Sequence, residues 1–330
     1  MADSPLAPLR GWAHPAGTGI RHHVLVIPSV ICAAQASLTM VEGVAGAVAI
    51  EHQHGCSQLG GDAHLTEQVL VGLGTHPNVA GTLVVSLGCE TVQGVGLHRS
   101  IVGRGQRAEF VGIQQAGGTG AAVRAGREAL HRLRHAAASD PEVEVRWVDL
   151  RIGIEAAWLG VAPAQARVVS ALVDRLCRAG AAVIQAAPVG DGDAGAWWER
   201  QTRPLPAPAS RPAPLAYATR PAGRGLFLME APLSRIAQKT GLAAAGAHVI
   251  LSPLAEGMPA GCPVAPVVHV GIAPYARSFA GDVDVLLDED PSAQAVEAIL
   301  DAIGAACRTE TALEALGAFE MAIHRIAPTM

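Results

Sequence analysis

Aromatic residues are scarce in this sequence, at 3% of its 330 positions, although half of all residues are hydrophobic. The apolar bulk is therefore Ala, Val, Leu and Ile. Such a composition suits parallel strands buried on both faces and covered by alanine-rich helices, and a chain of this length has material for two cores. Positive charge is not in excess: the formal net charge is −5, which gives no electrostatic reason to bind nucleic acid. Long apolar runs are missing too. The stretch from Val24 to Ala34 is too short to span a bilayer and contains Pro28, so no membrane association is expected. The first twelve residues lack a basic segment followed by an apolar core, the mark of a secretory signal. No CxxC pair occurs among Cys32, Cys56, Cys89, Cys177, Cys262 and Cys307, a spacing that suits reduced thiols in a cytoplasmic protein better than a disulfide framework. Internal repeats and heptads are absent.

What the sequence does contain is an alternation of short apolar runs with helix-like stretches. Val24–Ile27, Ala47–Ile50, Gly81–Leu87 and Glu109–Ile113 read as strands; helices are predicted near 32–42, 65–73, 95–102 and 119–138. A boundary falls near Ser139-Asp140-Pro141. The pattern resumes with Val148–Ile154, Ala182–Ala186, Leu226–Met229, His248–Leu251 and Val267–Val270, with helices at 164–179, 293–306 and 310–324. The proline-dense stretch Arg203–Pro214 reads as an extended loop or linker. The expected fold class is α/β: two Rossmann-like parallel-sheet domains, 1–140 and 141–330, with helices on both faces.

Polar residues cluster just after the strands of the first domain. Strand one leads to Ser29 and Cys32, strand two to His52, His54 and Cys56, strand three to Cys89-Glu90, and strand four to Gln114, Gln115, Gly117, Gly118 and Thr119. In an open parallel sheet these positions share one edge, where ligands bind at the switch in strand order. Each piece has a plainer reading as well: a cysteine after a strand is often a small buried hydrophobe, His-x-His can be solvated loop, and most Gly-Gly turns are only turns. Glu90 after an all-apolar strand needs a partner or water. His52 or His54 with Glu90 could hold a hard or borderline metal that acts as a Lewis acid, and Cys32, Cys56 and Cys89 would also permit an iron–sulfur cluster. Gly117-Gly118-Thr119 resembles an anion-binding helix N-terminus.

Together these motifs resemble the UxaA family of hydro-lyases, which includes altronate and galactarate dehydratases and the large subunit of sulfolactate sulfo-lyase. The opening Gly11-Trp12 and Gly19-Ile20-Arg21 is similar to the family's G-Y/W…G-x-R-N, with His22 in place of Asn. His52-Gln53-His54-Gly55-Cys56 matches H-x-x-G-C, and His76-Pro77-Asn78-Val79 with Gly88-Cys89-Glu90 matches H-P-N-V…G-C-E. Ile113 to Thr119 resembles I-Q-E-x-G-G-T, with Gln115 replacing the carboxylate. Gly225 to Glu230 and Thr240 to Ala247 look like G-L-x-x-M-D and T-G-L-A-A-A-G-A. Two motifs are replaced. Ala156 to Pro163 stands where the family has C-G-G-S-D, and Ser252-Pro253-Leu254-Ala255-Glu256-Gly257 stands where it has an F-T-T-G-R-G type loop with an arginine, the natural bidentate anchor for a carboxylate.

The resemblance implies a metal-dependent carbon–oxygen or carbon–sulfur lyase that converts a small hydroxy or sugar acid into a 2-keto acid. The implied roles are His52, Glu90 and His54 in catalysis; His52, Cys56, Cys89 and Glu90 as ligands of Fe2+ or Mn2+; and Arg21, Gln114, Gly117, Gly118 and Thr119 in binding a small carboxylate. It also implies a separately encoded SAF-domain small subunit and a homo-oligomer. The alternative is a non-catalytic or repurposed relative that has lost the usual motifs of the second domain.

Overall fold

The structure is a computed structural model that describes residues 6–156, 163–188, 193–202, 212–288, 291 and 294–326. The chain divides into two compact units. Gly11–Val143 and Glu320–Met330 form what we call the first unit; Met1–Arg10 and Glu144–Phe319 form the second. Each chain end thus belongs with the other half, an exchange that a single boundary near 140 does not anticipate.

In the first unit, β1 (Leu9–His14), which enters it at Gly11, and β2 (Gly17–Gly19) make an antiparallel hairpin. There follow β3 (His23–Pro28), α1 (Ala34–Val41), β4 (Ala47–Ala49), α2 (Gly61–Gly74), β5 (Val79–Ser86), α3 (Gly94–Gly103), β6 (Ala108–Gly112), α4 (Thr119–Ala137) and β7 (Glu142–Val145), which leaves the unit after Val143. The main sheet runs β4-β3-β5-β6 and is parallel throughout. Every residue of the central β5 is buried, as a strand covered on both faces requires. Val24 and Val26 of β3 and Leu83 and Val85 of β5 pack with Met40 of α1 and Leu130 and Leu133 of α4. Ile27, on the opposite face, meets Ile101 of α3 across Gly74. From β3 the chain steps out to β4 and then returns to the other side of β3 as β5. This places the switch in strand order between β3 and β5, and with it the crevice at their carboxyl ends.

The second unit contains β8 (Arg151–Ile154), α5 (Pro163–Arg178), β9 (Ala182–Pro188), α6 (Ala194–Thr202), β10 (Ala213–Leu215), β11 (Gly225–Ala231), α7 (Arg235–Ala244), β12 (Val249–Leu254), β13 (Val267–Ile272), β14 (Val285–Leu287), α8 (Ala295–Ala306) and α9 (Ala312–Leu316). Its seven strands lie in the order β10-β11-β9-β8-β12-β13-β14, all parallel, with the switch between β8 and β12. Both units are thus Rossmann-like α/β layers, as the alternating pattern predicts.

The helix predicted at 310–324 is corrected. It stops at Leu316, where Gly317 takes a left-handed φ of 64° and closes the helix; Ile323 lies beyond it on the first unit. Residues 157–162 and 203–211, which include most of the replaced C-G-G-S-D segment and of the proline-dense stretch, lie outside the described residues. Among the described residues no helix is long and apolar enough to cross a membrane.

Candidate functional site

Backbone hydrogen bonds knit three strand-end loops of the first unit together. The Ser29 amide donates to Val85 O (2.8 Å), the Ile31 amide to His54 O (2.9 Å), and the Thr91 amide to Gly55 O (2.9 Å). Gly55 is the close-approach point: its φ is 102°, and a Cβ there would overlap the Ser29 carbonyl. This explains the glycine of the H-x-x-G-C motif. Cys32, Cys56 and Cys89 are left exposed, one on each loop.

Glu90, 3% exposed, is the polar centre of these loops. Its Oε2 accepts from the Gly88 amide at 2.6 Å, and its Oε1 accepts from Ser29 Oγ at 2.9 Å and the Gly94 amide at 3.4 Å. Burial raises its pKa, but these hydrogen bonds to the charged form outweigh burial and hold it below the usual carboxylate range. His52 is buried as well, and its bonds go elsewhere. Its Nε2 faces Pro28 O at 2.6 Å and its Nδ1 accepts from the His54 amide at 3.2 Å. That pattern fixes the neutral tautomer with the proton on Nε2, and burial lowers the pKa to about 4. His54 Nε2 faces Ile323 O at 3.1 Å; its pKa is lowered by burial.

The expected metal set of His52, Cys56, Cys89 and Glu90 does not fit an ion in this arrangement. Both nitrogens of His52 and both oxygens of Glu90 already bond within the protein. Among the described residues, no three of His52, His54, Cys56, Cys89 and Glu90 bring ligand atoms within 4.8 Å of one another. The motif residues instead fasten the loops of the sheet edge.

A cleft of about 530 Å³ opens beside them, lined by Cys32, Gln35, Leu87, Ile113, Thr119 and Gly120 among others. It combines the ends of β5 and β6 with the start of α4. Gly117 and Gly118 take φ values of 84° and 120° and turn the chain into α4, whose N-terminus has no side-chain cap. Its first N–H groups are therefore available to an anion. Of the five expected binding residues, Thr119 lines the cleft. Gly117 and Gly118 shape the turn that leads to it. Gln114 packs against Gly88 instead. Arg21 is buried in the β1–β2 lead-in, where its Nη1 donates to Ile20 O (3.1 Å).

The second unit holds a polar cluster that motif reading misses. Glu155, fully buried at the end of β8, pairs with Arg235 (Nε to Oε2, 3.2 Å) and with Lys239 (Nζ to Oε1, 3.7 Å). Arg235 also donates to Ser252 Oγ (3.2 Å) and Pro253 O (2.7 Å), and Lys239 donates to Ala260 O (2.6 Å). His269 on β13 is driven to a pKa of about 3, by burial first and then by Lys239. The cluster occupies the β8/β12 switch, so this unit carries two cations there although its β12 loop lacks the family's arginine. The signal was the four-residue spacing of Arg235 and Lys239 at the start of a helix, which puts both on one face.

Parallel sheets with polar loops gathered at the switch in strand order define an α/β ligand-binding scaffold. Residues 12–138 match the second domain of D-galactarate dehydratase/Altronate hydrolase, and residues 213–329 match the C-terminal domain of D-galactarate/Altronate dehydratase. The chain belongs to this family. It is similar to the altronate dehydratase of Escherichia coli (strain K12), 30% identical over 149 residues, and to that of Bacillus subtilis (strain 168), 29% identical over 148 residues. Each of these matches covers 42% of this chain and 29% of the relative. The (2R)-sulfolactate sulfo-lyase subunit beta of Chromohalobacter salexigens is 30% identical over 138 residues, 41% of this chain and 35% of that protein. The matched stretch is thus a third or so of each relative's length.

Proposed function

We propose that this chain is a lyase of the altronate and galactarate dehydratase type, acting on a small 2-hydroxy carboxylate. The observation that carries the reading is the uncapped N-terminus of α4 opening on the cleft at the sheet edge. There the substrate carboxylate would meet the free N–H groups and the Thr119 hydroxyl. Family membership supports the reaction class: loss of a proton next to the carboxylate, departure of the β-substituent, and tautomerisation of the enol to a 2-keto acid. Glu90 stays ionised and bonded, and on this reading it positions the loops around Cys56 and Cys89.

Incubation with D-altronate, D-galactarate and sulfolactate, with 2-keto acid formation as the readout, tests the reading. Thr119→Val should raise KM about tenfold, the loss expected for one hydrogen bond to a charged group, and leave the fold intact. No turnover of any of the three by protein holding the metals it acquires in its host would overturn it. A second reading, a relative without lyase activity, is favoured by one observation: the internal hydrogen bonds that close both His52 and Glu90. We also propose a separately encoded SAF-domain subunit; the relationship to a protein that is itself a subunit supports it. Co-purification from the source cells checks this, and a fully active lone chain would refute it.

A further inference from the structure

The first unit carries a second polar group, away from the cleft lining, that its hydrogen bonds leave unbalanced. His14 on β1 is buried, and its side chain has no exposed surface. Its Nε2 lies 2.8 Å from Arg21 O, so that nitrogen carries the proton and donates it. Its Nδ1 lies 3.0 Å from Asp140 Oδ2. A lone pair facing a carboxylate needs a positive charge between them, either a proton or a metal ion. The ring of His22 stacks on that of His14, with centroids 5.0 Å apart. His22 bonds to the backbone of Ala137, and its Nδ1 is buried without any partner. A proton on His14 would satisfy the His14–Asp140 contact and leave the His22 nitrogen unmatched. An ion that takes His22 Nδ1 as a further ligand would satisfy both.

Among the described residues, His14, His22 and Asp140 are the one set of three such side chains whose ligand atoms all lie within 4.8 Å of one another. The 3.0 Å spacing of His14 Nδ1 and Asp140 Oδ2 is close to the edge of a tetrahedron, about 3.3 Å, built on zinc–nitrogen and zinc–oxygen bonds of about 2.0 Å. The outer contacts are also those of a metal site. Each imidazole is oriented by a backbone carbonyl, and the carboxylate is held by the Arg107 fork, whose Nη2 donates to Oδ1 at 2.8 Å and whose Nη1 donates to Oδ2 at 3.2 Å, leaving a second lone pair of Oδ2 for the ion. The guanidinium lowers the net negative charge of the site, which favours a tightly coordinating borderline ion over a hard one bound mainly by charge.

We propose that His14, His22 and Asp140 bind one divalent transition-metal ion of the zinc type, through one nitrogen of each imidazole and one carboxylate oxygen, with a fourth position for water. The ion ties the β1–β2 hairpin and the start of β3 to the segment after α4. None of its ligands lines the cleft, so its test is independent of the lyase reading.

The full chain is stripped with chelator, titrated with ZnCl2 or CoCl2, dialysed and analysed for bound metal. Wild type should retain one equivalent more than His22→Asn, a substitution that places there the residue of the family's own G-x-R-N pattern. With cobalt, wild type should show visible d–d absorption that the variant loses. Equal stoichiometry and identical spectra in the two proteins would overturn the proposal. A second measurement serves if the variant fails to fold. Trp12 stacks on His22 with centroids 5.4 Å apart, so bound Co2+ should quench its emission, read as the difference between wild type and Trp12→Phe. Trp12 emission unmoved by saturating Co2+ would equally overturn it.

Discussion

Glu90 shows how a buried carboxylate can be bound by donors alone. Its partners are two amides and a hydroxyl, so an amide side chain cannot replace it: one NH2 hydrogen would point at a donor. Glu90→Gln should cost about 2–3 kcal/mol, the penalty for an unmatched buried group, read as a lower urea midpoint with an unchanged slope. His52 gives a pH dependence. Its folded pKa of about 4 lies below the unfolded 6.5, so the unfolded chain binds a proton that the fold refuses. Its contribution is therefore fully present above pH 6.5 and is lost as pH falls from 6.5 towards 4. The loss is on the order of 3 kcal/mol. Urea titrations at neutral pH and near the lower bound should show a smaller acid loss for His52→Gln than for wild type. His269 and Glu90 act in the same direction in both proteins, so the difference reports His52. Glu90 and His52 stand out in the sequence; the partners that hold them do not. The donors to Glu90 include Ser29 from the neighbouring strand, and the acceptor for His52 is a backbone carbonyl. Neither leaves a trace in a motif. The grouping of His14, His22 and Asp140 escaped notice for the same reason: His22 stood out only as a replacement for Asn, and Asp140 only as part of a boundary before a proline.

At the scale of elements, strands β3, β5 and β6 and helices α1 to α4 follow the apolar runs and their helical partners, because each must bury a face to exist. What the runs do not encode is strand order. The return from β4 past β3 to β5 is a tertiary choice, and it decides which loops share the crevice. Short edge elements such as β10 and β14, three residues each, carry too little pattern to read. The missed helix end is different. The helical period runs on past Leu316, but Gly317 in a left-handed conformation and the Thr311–Glu314 capping box define a five-residue helix. The loop glycine of H-x-x-G-C allows an element-scale test. Gly55→Ala forces a side chain into a left-handed backbone and against the Ser29 carbonyl. It should destabilise the first unit by about 2–4 kcal/mol, visible as faster hydrogen exchange at Ile31 and Thr91, whose amides the loop carbonyls accept.

For the whole molecule, the decisive feature is the exchange of chain ends between the units. The tail contributes real structure to the first unit. Ile323 is 2% exposed, its carbonyl faces Gln53 Nε2 and His54 Nε2, and the Ile326 amide donates to Asp62 Oδ1 at 2.7 Å. A chain ending at Phe319 should lose these contacts and unfold its first unit about 2–4 kcal/mol more easily, with the second unit's transition unmoved. A synthetic peptide of residues 320–330 should restore part of the loss when added in excess. Calorimetry with and without the peptide checks both outcomes, and an unchanged first transition would refute the structural role of the tail.

The same exchange bears on synthesis. Domains generally fold in order as they leave the ribosome, at roughly 5–20 residues per second. The first unit has its sheet once Val143 has emerged, yet its last segment begins only at Glu320. For roughly nine to thirty-five seconds of elongation at those rates, Gln53 and His54 wait without the Ile323 carbonyl that they face. The His54 ring lacks its Ile323 acceptor in that interval, whereas Cys56 is exposed before and after it.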